Sequence, residues 1–324
     1  MRKYFFLACV FFCFSLQAKK APVREFADFE KGALEAPWLT GPLLAPSGLT
    51  MPPGRYDIEP SFFFIANTGQ YNAHWESVER ETFWNNYFQP QIQFGLTSWM
   101  DFQFIPTLIY NYTEGAGKWG VGDMPIIFGV QLYKGGGNIT DWIPDLKLAL
   151  KELIPIGKYQ NLNPQKLNTD MMGEGSWQTA LALVWGNLFY LGKGHFLTAR
   201  IAFQYVLPAP THVKNLNAYG GGPGTDGTVY PAESFNFDIG MELTLTQSWV
   251  FALDIVGDWS GRTRFKGETT VSNTSPASTQ FSLAPAIEYN WNANLGIIFG
   301  PWFTVAGRNA GKFTSGLFSL NYYH

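Results

Sequence analysis

Cysteine is nearly absent from the 324 residues: the chain has two, Cys9 and Cys13, and both fall in its first thirteen positions. Met1-Arg2-Lys3 supplies positive charge, Tyr4 to Leu16 is an apolar run, and Gln17-Ala18 precedes Lys19-Lys20. That layout predicts a secretory signal peptide over residues 1–18, cleaved after Ala18. Its removal would leave a mature chain without cysteine, which excludes disulfide frameworks, thiol catalysis and thiolate metal sites together. The signal carries Arg2 and Lys3 and no acid, so 20 basic residues would remain against the 25 acidic ones, a balance near −5. A chain with no basic excess is not built for nucleic acid. Long apolar runs are missing too. Beyond the signal no stretch approaches the ~18–20 apolar residues that a helical membrane span requires. Charged residues make up only 15% of the chain, whereas 17% of residues are aromatic and 34 are glycine.

What the chain does have is a period of two. Phe235, Phe237, Ile239, Met241, Leu243 and Leu245 alternate with Asn236, Asp238, Gly240, Glu242, Thr244 and Thr246. After Gln247-Ser248 the pattern resumes, with Trp249, Phe251, Leu253 and Ile255 against Val250, Ala252, Asp254, Val256 and Asp258. Successive side chains on a strand point to opposite faces, so this is a hairpin with one apolar and one polar face. Each strand is about 10 residues long, which suits a tilted crossing of a bilayer. Lipid tolerates no open sheet edge, so a strand-built membrane protein has to close on itself.

The sequence therefore predicts an all-β, transmembrane, antiparallel up-and-down β-barrel of about twelve strands over residues 54–324. A Pro- and Ala-rich stretch, 19–53, precedes it as a periplasmic leader or partial plug. The expected strands are 55–67, 86–96, 100–112, 122–133, 144–155, 175–190, 195–207, 233–246, 249–259, 279–291, 294–306 and 312–323. Connections at 97–98, 191–194, 247–248 and 292–293 are short, and those at 68–85, 156–174, 208–232 and 260–278 are long. Barrels of the outer membrane have short periplasmic turns and longer external loops. Rings near strand ends, among them Tyr110, Tyr112, Tyr133, Trp177, Trp185, Tyr190, Trp249, Trp259, Trp291 and Tyr322, match an interfacial aromatic girdle. A soluble β-sandwich is the alternative, disfavoured because its strands should be nearer 5–6 residues.

With the apolar register against lipid, the polar register lines the interior. Lys147 and Lys151 on the fifth strand and Arg200 on the seventh form a basic arc. Asp238, Glu242, Asp254, Asp258 and Glu288 on strands eight to ten form an acidic arc, and Gln91 and Asp101 come from strands two and three. Facing arcs of opposite charge would set a field across a water-filled pore. The same residues could equally pair with one another in a hydrogen-bonded filling. Both arrangements stay open at this level.

Signals for chemistry are weak. The four histidines stand in His74-Trp75-Glu76, His195-Phe196-Leu197, His212-Val213-Lys214 and at the terminal His324, none with a serine two residues on. Neither a hydrolase triad nor an acid pair with a histidine is assembled, so no catalytic residue, metal or cofactor is expected. Gly135-Gly136-Gly137 and Gly220-Gly221-Gly222 lack the Lys-Ser/Thr and the strand-to-helix context of a phosphate loop.

Phe94-Gly95-Leu96-Thr97 leading into Asp101-Phe102-Gln103-Phe104, Gly120-Val121-Gly122-Asp123, and Asn236-Phe237-Asp238-Ile239-Gly240 with Leu245-Thr246 carry a resemblance. They resemble motifs of an outer-membrane β-barrel transporter family assigned to the MetA pathway of phenol degradation. The resemblance spans about residues 55–323 and rests on short, turn-dominated motifs. It implies a channel for small solutes, hydrophobic or aromatic ones included. The expected partners are outer-membrane lipid and lipopolysaccharide, the barrel-insertion machinery and a small solute, with the barrel a monomer. The alternative function is a closed structural barrel that uses its long loops for surface interactions.

Overall fold

A computed structural model describes residues 35–135 and 143–324; the expected signal peptide and the glycine run from 136 lie outside the described residues. The strands are β1 (Tyr56–Tyr71), β2 (Ser77–Thr97), β3 (Met100–Phe104), β4 (Leu108–Thr113), β5 (Ala116–Val121) and β6 (Met124–Tyr133). Then follow β7 (Asp145–Ile154), β8 (Gln178–Gly192), β9 (His195–Pro208), β10 (Thr211–Lys214), β11 (Asp226–Tyr230) and β12 (Ser234–Thr244). β13 (Trp249–Ser260), β14 (Arg264–Glu268), β15 (Ser278–Asn292), β16 (Leu295–Arg308) and β17 (Gly311–Tyr323) complete the chain.

Fourteen of these strands form one sheet, which closes because β1 pairs with both β17 and β2. Every pairing is antiparallel. β3 and β4 are two halves of one wall strand, broken at Ile105-Pro106-Thr107, and β5 and β6 are halves of the next, broken at Gly122-Asp123. The wall is therefore a closed barrel of twelve strands. Pro106 has no N–H to donate to a ladder, which accounts for the first break. Across it Ile105 N–H still donates to Pro125 O, and Gly122 N–H to Thr107 O.

Alternating burial shows which face is which. On β8, Leu181 and Leu183 are exposed while Ala180, Ala182 and Val184 are buried. On β13, Trp249 and Phe251 are exposed while Val250, Ala252 and Asp254 are buried. A soluble sheet protein has the opposite polarity; this one is apolar outside. Phe64, Leu96, Leu108, Phe203, Phe299 and Leu320 extend the outer belt, and Tyr112, Tyr133, Trp177, Trp249, Trp291 and Tyr322 are exposed rings near strand ends. No described helix is long and apolar enough to cross a membrane. The membrane is crossed by strands.

Two boundaries differ from the sequence expectation. Residues 68–85 are not a long loop: β1 and β2 continue as a paired hairpin, with Tyr71 opposite Ser77, so the connection shrinks to 72–76. The segment after 112 is strand rather than loop, because β5 pairs with β4 from Thr113↔Ala116 to Leu108↔Val121. Both were hidden because polar, glycine-containing strand ends lose the two-residue apolar period once they leave lipid. The long stretches 208–232 and 260–278 contain β10, β11 and β14, which pair as a separate three-stranded sheet outside the barrel.

Candidate lumen site

Residues 35–53 lie inside the barrel. Pro37, Pro42, Pro46, Pro52 and Pro53 deprive this stretch of ladder donors, and it has no strand or helix. It forms an arch. Ala36 O accepts from Gln247 Nε2, in the turn between β12 and β13, at 2.7 Å. The chain then rises to the level of Asp254 and Gly240 and descends to Pro52, beside Gly95 near the end of β2. The arch thus occupies the turn-side half of the lumen.

The wall grips the arch through its peptide groups. Thr40 N–H donates to Glu288 at 2.5 Å, Gly41 N–H to Glu242 at 2.9 Å, Ala45 N–H to Asp254 at 3.0 Å and Met51 N–H to Asp101 at 3.0 Å. Thr50 N–H donates to Gln131 Oε1 at 2.7 Å. In the other sense, Arg200 Nη1 reaches Ala45 O at 3.4 Å, Lys147 Nζ reaches Leu49 O at 3.3 Å, and Gln131 Nε2 reaches Gly48 O at 2.9 Å. Carboxylates accepting peptide N–H groups away from water make charge-assisted bonds, about twice as strong as neutral ones. Glu242, Asp254 and Glu288 are fully buried. Leu43 adds an apolar contact, packing with Ala252, Ala284, Ala286, Ile298 and Leu317.

The charges are not two free arcs facing across water. Arg200 pairs with Glu242 on the neighbouring strand at 3.2 Å, and Lys147 reaches Asp101 at 4.0 Å. Glycines leave room for these diagonal contacts: a Cβ at Gly129 would lie 2.1 Å from Asp101 Oδ1 and 3.2 Å from Lys147 Cδ. Others make room for the arch. A Cβ at Gly95 would meet Pro52 O at 1.8 Å, one at Gly240 would meet Ala45 Cβ at 2.5 Å, and one at Gly296 would meet Thr40 Cγ2 at 2.3 Å.

Of the residues expected to line the lumen, Asp101, Lys147, Arg200, Glu242, Asp254 and Glu288 are brought together on the arch. Lys151, Asp238, Asp258 and Gln91 share the inward register but do not touch it by hydrogen bond among the described residues. Lys151, Asp238 and Asp258 belong to the loop-side half. Above them lies a cavity of about 320 Å³ walled by Val206, Pro208, Ser234 and Ser260 from the barrel and roofed by Glu174 and Tyr219 from the loops. The surrounding protein, and then the Asp123 carboxylate, hold the Glu174 carboxyl above the ordinary glutamate range. Tyr219 is held above the ordinary phenol range by burial first and by Glu174 next.

Several participants escaped the sequence reading. Gln131 and Asn290 contact the arch, Asn290 Nδ2 donating to Trp38 O at 3.2 Å. Asp123, inside the Gly-Val-Gly-Asp motif, accepts from Gly157 N–H at 2.8 Å and Glu174 N–H at 2.9 Å, pinning the loop after β7. An acid at a strand break, preceded by Gly120 and Gly122, was the one signal available for it. The histidines stay apart. His212 Nε2 lies 3.2 Å from Asp226 in the outer sheet, His195 Nδ1 contacts Thr244 O at 2.9 Å, and His324 packs on Tyr56 and Tyr322. Among the described residues no three His, Cys, Asp or Glu side chains form a group able to hold a metal ion.

No protein-family model matches the chain, and no curated protein matches it. Solved structures do. The translocator domain of the autotransporter NalP from Neisseria meningitidis is 10% identical over 85% of this chain and 90% of that chain, with a TM-score of 0.44. The COG4313 outer membrane channel from Pseudomonas putida F1 is 12% identical over 87% of this chain and all of that chain, with a TM-score of 0.69. The chain shares the barrel fold of that outer membrane channel.

Proposed function

We propose that the protein is an outer-membrane channel for passive passage of small solutes, with residues 35–53 as a removable constriction. One observation carries this: the lumen holds a length of polypeptide mainly through polar contacts to its backbone. A barrel filled for structure alone is expected to pack side chain against side chain, as eight-stranded barrels do, whereas larger barrels leave an aqueous channel. Twelve strands leave room for one chain, and withdrawal of that chain would open a charged, narrow passage of similar width. Lys147, Arg200, Asp101, Glu242, Asp254 and Glu288 would line its turn-side half, and Lys151, Asp238 and Asp258 the loop-side half.

The test is planar-bilayer conductance of the full chain against a variant lacking residues 35–53. Larger and more frequent open steps in the deletion support the proposal; two equally silent proteins that are folded by heat-modifiable gel mobility sink it. The second reading, a closed barrel presenting its outer sheet to a partner, is favoured by the apolar seat of Leu43 and by β10, β11 and β14. It requires both proteins to be silent.

A further inference from the structure

The barrel wall has a gap on its loop side. β7 ends at Ile154, and β5, the upper half of its neighbouring strand, pairs only with β4. No backbone hydrogen bond from a turn or loop reaches the outer edge of β5 among the described residues. The Pro164–Lys166 turn of the loop after β7 stands beside this edge without pairing to it, and an unpaired strand edge presents N–H and C=O groups that take a partner carrying its own donors and acceptors.

Beside this edge lies a cavity of about 450 Å³, open to the exterior and lined by Lys118, Lys158 and Lys166 together with Trp119, Val121 and Ile156. Its apolar members are outward-facing: Trp119 is 67% exposed, Val121 51% and Ile156 52%. Trp119 stands against Tyr110 with ring centroids 4.7 Å apart, and Tyr112 and Leu108 continue the same outer face. The lysines are stacked above. Lys118 lies roughly 10 Å along β5 from Val121, toward the loop tip, at the usual rise of a strand; it stands opposite Asn111, on the register that alternates with Trp119 and Val121, and Lys158 and Lys166 belong to the loop after β7. Asp170 neutralises Lys158 by an ion pair. With Asp170 the only acid in the lining, three lysines leave the rim with a net charge near +2.

A cationic rim over an apolar floor, at a strand edge that needs hydrogen-bond partners, matches one kind of occupant. We infer that this cavity binds the phosphorylated glucosamine headgroup of lipid A, with acyl chains lying over Val121, Ile156 and Trp119. Phosphate meets Lys118 and Lys166, and the sugar hydroxyls and amide-linked chains offer donors and acceptors to the β5 edge. A free anion would use the lysines but leave the apolar floor exposed. The inference rests on the outer-membrane placement with loops outward, and it is independent of whether the lumen conducts.

Native mass spectrometry on the full chain, refolded without lipid, tests it. Bisphosphorylated lipid A should be retained by the wild type, and the Lys118→Gln/Lys166→Gln variant should bind it about tenfold more weakly or less still, as expected for two lost charge-assisted contacts. Lys193→Gln, in a turn at the opposite end, should bind as the wild type does. Lipid A stripped of phosphate should bind like the double variant, and inorganic phosphate at equal concentration should not compete. Equal lipid A binding by double variant and wild type overturns the inference. So does displacement by inorganic phosphate, or equal retention of a phospholipid. Conductance of the same samples is a separate readout, so a silent barrel that still binds lipid A would sink the channel and leave this site standing.

Discussion

Gly240→Val should open the barrel without unfolding it. Gly240 faces inward on β12, between Arg200 on β9 and Asp254 on β13. A Cβ there would stand 2.5 Å from Ala45 Cβ, 2.7 Å from Pro42 Cγ and 3.1 Å from Asp254 Oδ1. Carbon atoms rest about 3.5–4.0 Å apart, so the arch must retreat by about 1 Å before the two valine methyls are even placed. Overpacking of this kind costs about 1–3 kcal/mol. The wall itself gains a residue that strands favour, so the strain falls on the arch rather than on the ladder. At about 1.4 kcal/mol per tenfold, the balance between seated and released arch shifts by about five- to over a hundredfold. Single-channel recording should show that shift as open probability. Gly316→Val is the matched control: it sits on the exposed face with nothing within 4 Å of its Cβ, and it should record as wild type. A Gly240→Val protein that is folded by heat-modifiable mobility yet conducts no more than wild type refutes the reasoning, because the arch would then not be what limits flow.

Arg200→Ala leaves the buried Glu242 carboxylate without its cation, and breaking a buried pair typically costs about 3–5 kcal/mol. Its heat-modifiability midpoint should fall, and any current should become more cation-selective; unchanged reversal potentials would contradict a lumenal Arg200. Asp123→Ala removes the acceptor of Gly157 and Glu174 N–H, bonds to a charged group worth about 1.5–3 kcal/mol each. The loop from 155 to 177 should then exchange its amides faster while the barrel strands do not. Glu174, with its folded pKa raised, contributes stability when protonated. That contribution is complete below the unfolded glutamate value and is lost as pH rises through the folded one. Protease cleavage in the same loop should therefore increase over that rise, and Glu174→Gln should flatten the profile.

The sequence by itself determined the barrel. In the hairpin from Ser234 to Ser260, Phe237, Ile239 and Met241 against Asp238, Gly240 and Glu242 are enough to set which face meets lipid, because the strand period is two and the bilayer admits no other closed strand structure. All twelve wall strands have counterparts in that pattern, and the inward register of Lys147, Arg200, Glu242 and Glu288 follows from parity alone. Tertiary structure decided what those inward groups meet. Glu288 and Thr40 are 248 residues apart, and Ala45 and Asp254 are 209 apart. No local pattern encodes such contacts, since they exist only once the wall has closed around the proline-broken arch. The β5 edge is of the same kind. Alternation marks where a strand runs, but whether it has a neighbour depends on where β7 stops. The two-register hairpin thus fixes the membrane face by its alternation, while the arch and the gap in the wall arise from closure, where one strand's end becomes another's missing partner.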